Sequence, residues 1–264
     1  MLGSLCRSSN IDSARALFDG IPDKDVVSWS TMLACYFSHG RLADGLAFFR
    51  TVTFTTEVSA DYVMLVTLLT ACASAGLLPL FCRAIHGYVV HRGVPATMHL
   101  VTALIDCYAK AGRLDYASRV FSWVPSRNVM HWTAMICGMA AHLRDDEAVQ
   151  LFEEMCKRRV QPNEMTFTAV LSACGQAGLV KKGRELFELM VDRYYLEPNI
   201  HHYGCMVDLY AKAGMLEDAY EVIKTMRMEP NVIIWTSLLA ACKKFKNFLH
   251  CCGGLGESIG SGDI

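Results

Sequence analysis

Asn128 to Ile136 reads NVMHWTAMI. An Asn precedes a run in which Trp132, Met135, Ile136, Met139 and Ala140 fall at i, i+3, i+4, i+7 and i+8, one apolar stripe at helical spacing. The phrase has two echoes, DVVSWSTML from Asp25 and NVIIWTSLL from Asn231. Their tryptophans, Trp29, Trp132 and Trp235, follow one another at intervals of 103 residues, and a Ser or Thr follows each. A phrase restated at a fixed long interval signals internal repetition, so the repeat has to be solved before any site.

Two further markers give its length. Gly40, Gly76, Gly112, Gly178 and Gly214 end apolar segments at steps of 36, 36, 66 and 36 residues, and Leu143 stands where the long step hides a marker. CYAKAGRLDYA from Cys107 returns as LYAKAGMLEDA from Leu209, 102 residues on. Unit length thus cycles through about 35, 36 and 31 residues, and three units make the longer interval. Each unit holds two helices. In the unit opening at Val129, a break near Leu143 to Asp145 separates the first stripe from a second at Ala148, Leu151, Phe152 and Met155. Pro162 then closes the unit, as Pro22, Pro125, Pro198 and Pro230 close others. One hairpin cannot bury both stripes, so neighbours must stack, and the expected fold is an all-α solenoid of stacked antiparallel helix pairs.

The composition agrees with burial: 53% of the 264 residues are hydrophobic and 19% charged. No run of about 18 uncharged apolar residues occurs, so no membrane partner is expected. The start MLGSLCRSSN resembles neither a secretory signal nor, before repeat-like sequence begins, a transit peptide. The net charge of −1 gives no general attraction to nucleic acid, and DNA is not an expected partner. The twelve cysteines contain no C-x-x-C, and Cys35, Cys72, Cys107, Cys137, Cys174 and Cys242 lie in apolar helical segments. They read as buried thiols of a protein in a reducing compartment, with no metal site.

The alternation of unit lengths, with VVSWSTML, RAIHGYVVHRG, ALIDCYAKAGRLDYASRVF, NEMTFTAVLSACGQAGLV and HHYGCMVDLYAKAGMLEDAYEVI, closely resembles the PLS class of plant pentatricopeptide repeat proteins over roughly residues 1–247. The resemblance implies a right-handed superhelical solenoid. It implies a partial S-type unit at 1–25, P-type units at 26–61 and 129–163, L-type at 62–97 and 164–199, and S-type at 98–128 and 200–231. Residues 232–247 resemble the start of an E-type motif, and the Gly-rich 248–264 reads as a flexible tail.

The resemblance implies binding of single-stranded organellar RNA, one base per repeat. It places the reading residues at the fifth and last positions of each unit. Ser30 with Asp61 resembles a guanine reader; Thr102 with Asn128, and Thr133 with Asn163, resemble adenine readers. Thr168 with Asn199 is a weaker L-type pair, Val66 with Thr97 is silent, and Gly204 with Asn231 lacks a reading side chain. The implied target contains G-x-A-A. Thr133 lies about 100° of helix from Trp132 and so flanks the apolar stripe, where its hydroxyl can face a groove. Asp can only accept, which suits the N–H of guanine, whereas Asn can also donate. Second-position residues pack base faces in the family; here they include Val27, Val63, Met130 and Met165, with His99 and His201 able to stack. Lys110 and Lys212 match the family's phosphate-proximal position.

No enzyme is expected. None of the nine His is followed two residues later by Glu, and with no C-x-x-C the zinc signature of a cytidine deaminase is missing. No cofactor is implied. The expected function is an RNA-binding adaptor in organellar RNA processing, in mitochondrion or chloroplast, serving C-to-U editing with a DYW-type deaminase supplied in trans. The other reading is a protein-binding scaffold or an inactive truncated product, because both ends cut a unit and leave Leu2, Leu5, Leu238 and Leu239 without a capping neighbour.

Overall fold

The computed structural model describes residues 11–55, 60, 62–74 and 79–245. Asp61 and the segments at 1–10 and 246–264, with Leu2, Leu5 and the Gly-rich tail, lie outside them. The described residues form fourteen α-helices and no strand. In chain order these are α1 (Ile11–Asp19), α2 (Val26–Ser38), α3 (Leu42–Thr55), α4 (Tyr62–Ser74), α5 (Pro79–His91), α6 (Met98–Lys110) and α7 (Leu114–Trp123). Then come α8 (Val129–Ala141), α9 (Asp145–Lys157), α10 (Glu164–Ala177), α11 (Val180–Asp192), α12 (Ile200–Lys212), α13 (Leu216–Thr225) and α14 (Val232–Phe245). Among the described residues no helix is long and apolar enough to cross a membrane.

The chain divides into two compact units, residues 1–131 and 132–264. In the first, α2, α4 and α6 pack side by side, α3 and α7 lie against α2 and α6, and α5 bridges α4 and α6. In the second, α10, α12 and α14 form the corresponding row, α11 touches α10 and α12, and α13 touches α12 and α14. Within each unit the first helix of one repeat thus neighbours the first helix of the next, and the second helices lie against that row. The reason is the one the sequence implies: each hairpin buries its stripes against its neighbours.

The recurring tryptophan is a core anchor. Trp29 is buried against Phe18 and Phe48, with ring centroids 4.8 and 5.0 Å away, and Trp132 is fully buried. Helix breaks follow the glycine markers. Gly40, Gly112, Gly178 and Gly214 all adopt left-handed backbone, and Leu143, standing where their sequence would place a glycine, does so too at φ 57°. A branched residue pays steric strain there that glycine avoids.

Two expectations are corrected. Cys107 is not a free thiol: it forms a disulfide with Cys82, joining α5 to α6, whose packing brings the two Cα atoms to 6.4 Å. Leu238 is buried inside its unit on the inner stripe of α14, while Leu239 on the flank is partly exposed.

Candidate nucleic-acid interface

Apart from α4, whose preceding residue lies outside the described ones, each first helix is started by a polar residue that closes the preceding repeat. Asp25, Thr97, Asn163 and Asn199 are N-caps whose side chains accept from backbone N–H groups of the first turn, and Asn128 and Asn231 make the same contact. These N–H groups have no partner within the helix, so an oxygen side chain at this position is favoured. The last-position Asn is therefore first a structural cap, with its amide oriented by that duty. In Asn128, Asn163 and Asn199 the Oδ1 accepts from the helix, at 3.2, 2.9 and 3.3 Å from the third residue's N, so Nδ2 is the atom left facing away.

The fifth-position hydroxyls lie one turn on. Ser30, Thr102 and Thr168 donate to the carbonyls of Val26, Met98 and Glu164, the first residues of their own helices, at 2.8, 2.8 and 3.0 Å. Their hydrogens are thereby occupied and their lone pairs left open. Thr133 instead contacts the Thr166 hydroxyl at 2.6 Å.

Fifth and last residues of a unit converge on a shared neighbour. Thr102 and Asn128 both touch Met98, the amide Nδ2 lying 2.7 Å from the thioether sulfur. Thr168 and Asn199 both touch Glu164, whose carboxylate accepts from Asn199 Nδ2 at 3.2 Å. Thr133 and Asn163 both touch Thr166. Of these three amides, only that of Asn163 has its Nδ2 without a protein partner among the described residues. The Thr168–Asn199 pair has its amide donor engaged by a carboxylate.

In each unit the second position of these repeats carries an uncovered side chain. Val27, Val63, Met130 and Met165 expose 39 to 70% of their surface, and His99 and His201 are exposed at the same repeat position. Isolated apolar side chains on a surface are ordinary, but these recur at one repeat position, each next in sequence to the capping and hydroxyl residues of its helix. Lys110 and Lys212 are exposed but not free: they pair with Asp106 at 2.8 Å and Asp208 at 2.7 Å, each four residues earlier. Exposed pairs of this kind are weak, so a phosphate can compete for the ammonium.

Several members of the interface escaped the sequence reading. Met98 and Glu164 at first positions and His131, Thr166 and His202 at third positions contact the candidate last-position residues. The signal for the third position was present as NVMH, NEMT and NIHH, an Asn followed three residues later by a side chain able to close a capping box. Between α12 and α14 an open cavity of about 450 Å³ is lined by Ile233, Thr236, Lys212 and Lys244, so a second-position apolar group, a fifth-position hydroxyl and a lysine meet there. Burial holds His131 and His202 below the usual histidine range, so both rings are neutral caps near pH 7.

The PPR repeat family model matches residues 127–176, and the PPR repeat model matches 27–51, 100–122, 165–195 and 201–230. The chain belongs to the pentatricopeptide repeat family. The chloroplastic pentatricopeptide repeat-containing protein CRR2 of Arabidopsis thaliana is 38% identical over 234 residues, covering 88% of this chain and 36% of that one. A mitochondrial pentatricopeptide repeat-containing protein of the same plant is 40% identical, covering 89% and 35%. The chain thus spans about a third of the length of these curated relatives. The crystal structure of the pentatricopeptide repeat protein PPR10 from maize superposes with a TM-score of 0.82 at 18% identity, covering 96% of this chain and 36% of that one. PPR10 in complex with an 18-nt psaJ RNA element gives a TM-score of 0.79 at 18% identity, covering 96% and 38%. The pentatricopeptide repeat solenoid is therefore this chain's fold.

Proposed function

We propose that this chain is a sequence-specific adaptor for single-stranded RNA that engages one base per repeat through its fifth and last residues. The observation that carries the reading is the convergence of Thr133 and Asn163 on Thr166, of Thr102 and Asn128 on Met98, and of Thr168 and Asn199 on Glu164. In three repeats two residues about thirty positions apart meet one shared neighbour, next to an exposed side chain that can lie on a base face. The RNA complex of PPR10 supports the ligand class.

The caps supply the logic of the code. Because the helix takes Oδ1, Asn offers a base an amide donor, and Asp in the same pose offers an acceptor oxygen. Asn163, and Asn128 once it releases the Met98 sulfur, then favour a base with an acceptor on its Watson–Crick edge, and Asp61 with Ser30 favours the donors of guanine. Val27, Val63, Met130 and Met165 pack the bases, and Lys110 and Lys212 release their aspartates to phosphates. The site of action is a plant organelle, as in the chloroplastic and mitochondrial relatives. The role is RNA processing, specifically C-to-U editing with a DYW-type deaminase in trans, a reading that rests on the PLS-like alternation of unit lengths.

Changing Thr133→Asn together with Asn163→Asp tests the assignment, with binding measured to RNAs differing at one base. The expected outcome is a shift at that base from adenine toward uracil. Unchanged selectivity, or no binding at low salt, removes the proposal.

A further inference from the structure

The buried polar side chains among the described residues are His131, Thr166 and His202, and all three occupy the third position of their repeats. Burying a polar group is costly unless it is hydrogen-bonded. Each of these meets the Asn that closes the preceding repeat: the backbone N of Asn128, Asn163 and Asn199 donates to His131 Nδ1 at 3.2 Å, Thr166 Oγ1 at 3.3 Å and His202 Nδ1 at 3.1 Å. At His202 the other ring nitrogen, Nε2, donates to the Glu164 carbonyl at 2.9 Å, tying the cap to the preceding first helix.

Thr166 does more. Its hydroxyl lies 2.8 Å from Asn163 Oδ1 and 2.6 Å from Thr133 Oγ1. Asn163 Oδ1 can only accept, so the Thr166 hydrogen goes there, and Thr133 must donate to Thr166. One directional chain results, from the Thr133 hydroxyl through Thr166 to the Asn163 carbonyl. It turns Asn163 Nδ2 outward as a donor and leaves Thr133 Oγ1 outward as an acceptor.

We propose that Thr166, which belongs to neither reading position of its neighbour, is a specificity-determining positioning residue that locks Thr133 and Asn163 into one donor–acceptor pair. A donor beside an acceptor matches a base that shows a ring-nitrogen acceptor beside an amino donor, as adenine and cytosine do, and opposes the ring N–H and carbonyl of guanine and uracil. The inference rests on base reading by the Thr133–Asn163 pair and adds the residue that sets its polarity.

The test uses the full chain and RNAs that differ only at the base facing the 129–163 repeat, with binding read by fluorescence anisotropy. The wild type prefers adenine over guanine there. Thr166→Val lowers that ratio about fivefold, the worth of one neutral hydrogen bond, while selectivity at the Thr102–Asn128 repeat stays. Thr166→Ser, which keeps the hydroxyl, retains the preference. Circular dichroism melts establish that each variant is folded, and Thr166→Ala replaces Val if Val is not. Wild-type selectivity that survives both Val and Ala overturns the positioning role and leaves base reading standing. A wild type without selectivity at that base overturns both.

Discussion

Asn163 caps α10 with Oδ1 and turns Nδ2 away from the helix, so its stability and its proposed selectivity reside in different atoms. That separates two effects one substitution would otherwise confound. Asn163→Ala should cost about 1 kcal/mol, the usual worth of a cap, and should also erase preference at its base. Asn163→Asp should keep the cap, leave the thermal midpoint nearly unmoved, and turn preference toward guanine, because only the outward atom changes. Thermal melts and RNA titrations on the two variants check this. Much at this scale was readable in advance. An Asn before an apolar run is a cap by its chemistry, and the spacing from Thr133 to Asn163 followed from the repeat. The directions of the hydrogen bonds were not readable. They depend on contacts between adjacent helices, Thr133 with Thr166 and Asn199 with Glu164, which no local pattern reports. The pairing of Lys110 with Asp106 and of Lys212 with Asp208 was legible, as charges four apart on a helix.

Among the helices, a local conflict lies at Leu143, which takes the left-handed turn that Gly40, Gly112, Gly178 and Gly214 take elsewhere. It is 72% exposed, so its side chain contributes little packing to offset the strain. Leu143→Gly should raise stability by roughly 1 kcal/mol, the steric cost of left-handed backbone less glycine's entropy, seen as a higher thermal midpoint. The helix starts also carry a pH dependence. His131 and His202 are neutral caps, each accepting an Asn backbone N–H at Nδ1, and burial lowers the pKa of both. A base whose folded pKa is depressed contributes its stability above its unfolded value and loses it as pH falls toward the folded one. The thermal midpoint should therefore decline on acidification from about pH 7 to 5, and less steeply in a His202→Gln variant. The sequence placed the helix pairs because hydrophobic periodicity and Gly and Pro punctuation agree. It missed the Cys82–Cys107 disulfide, because the two cysteines sit on different helices and meet only after packing.

At the scale of the chain, repetition turns one weak local signal into an assignment of fold and family. A Thr after a Trp says almost nothing once; in register with Asn residues that close every later unit, it defines a series of equivalent surfaces. The same repetition predicts modest affinity per unit, since each repeat offers few polar contacts and the paired lysines offer little net charge. The central claim is that these surfaces read RNA one base at a time. The measurement that meets it most directly is selection from a random pool of single-stranded RNA by the purified full chain at low salt, followed by sequencing. Enrichment of G-x-A-A at fixed spacing is the predicted result, and an unenriched pool, or no retained RNA, would contradict the account.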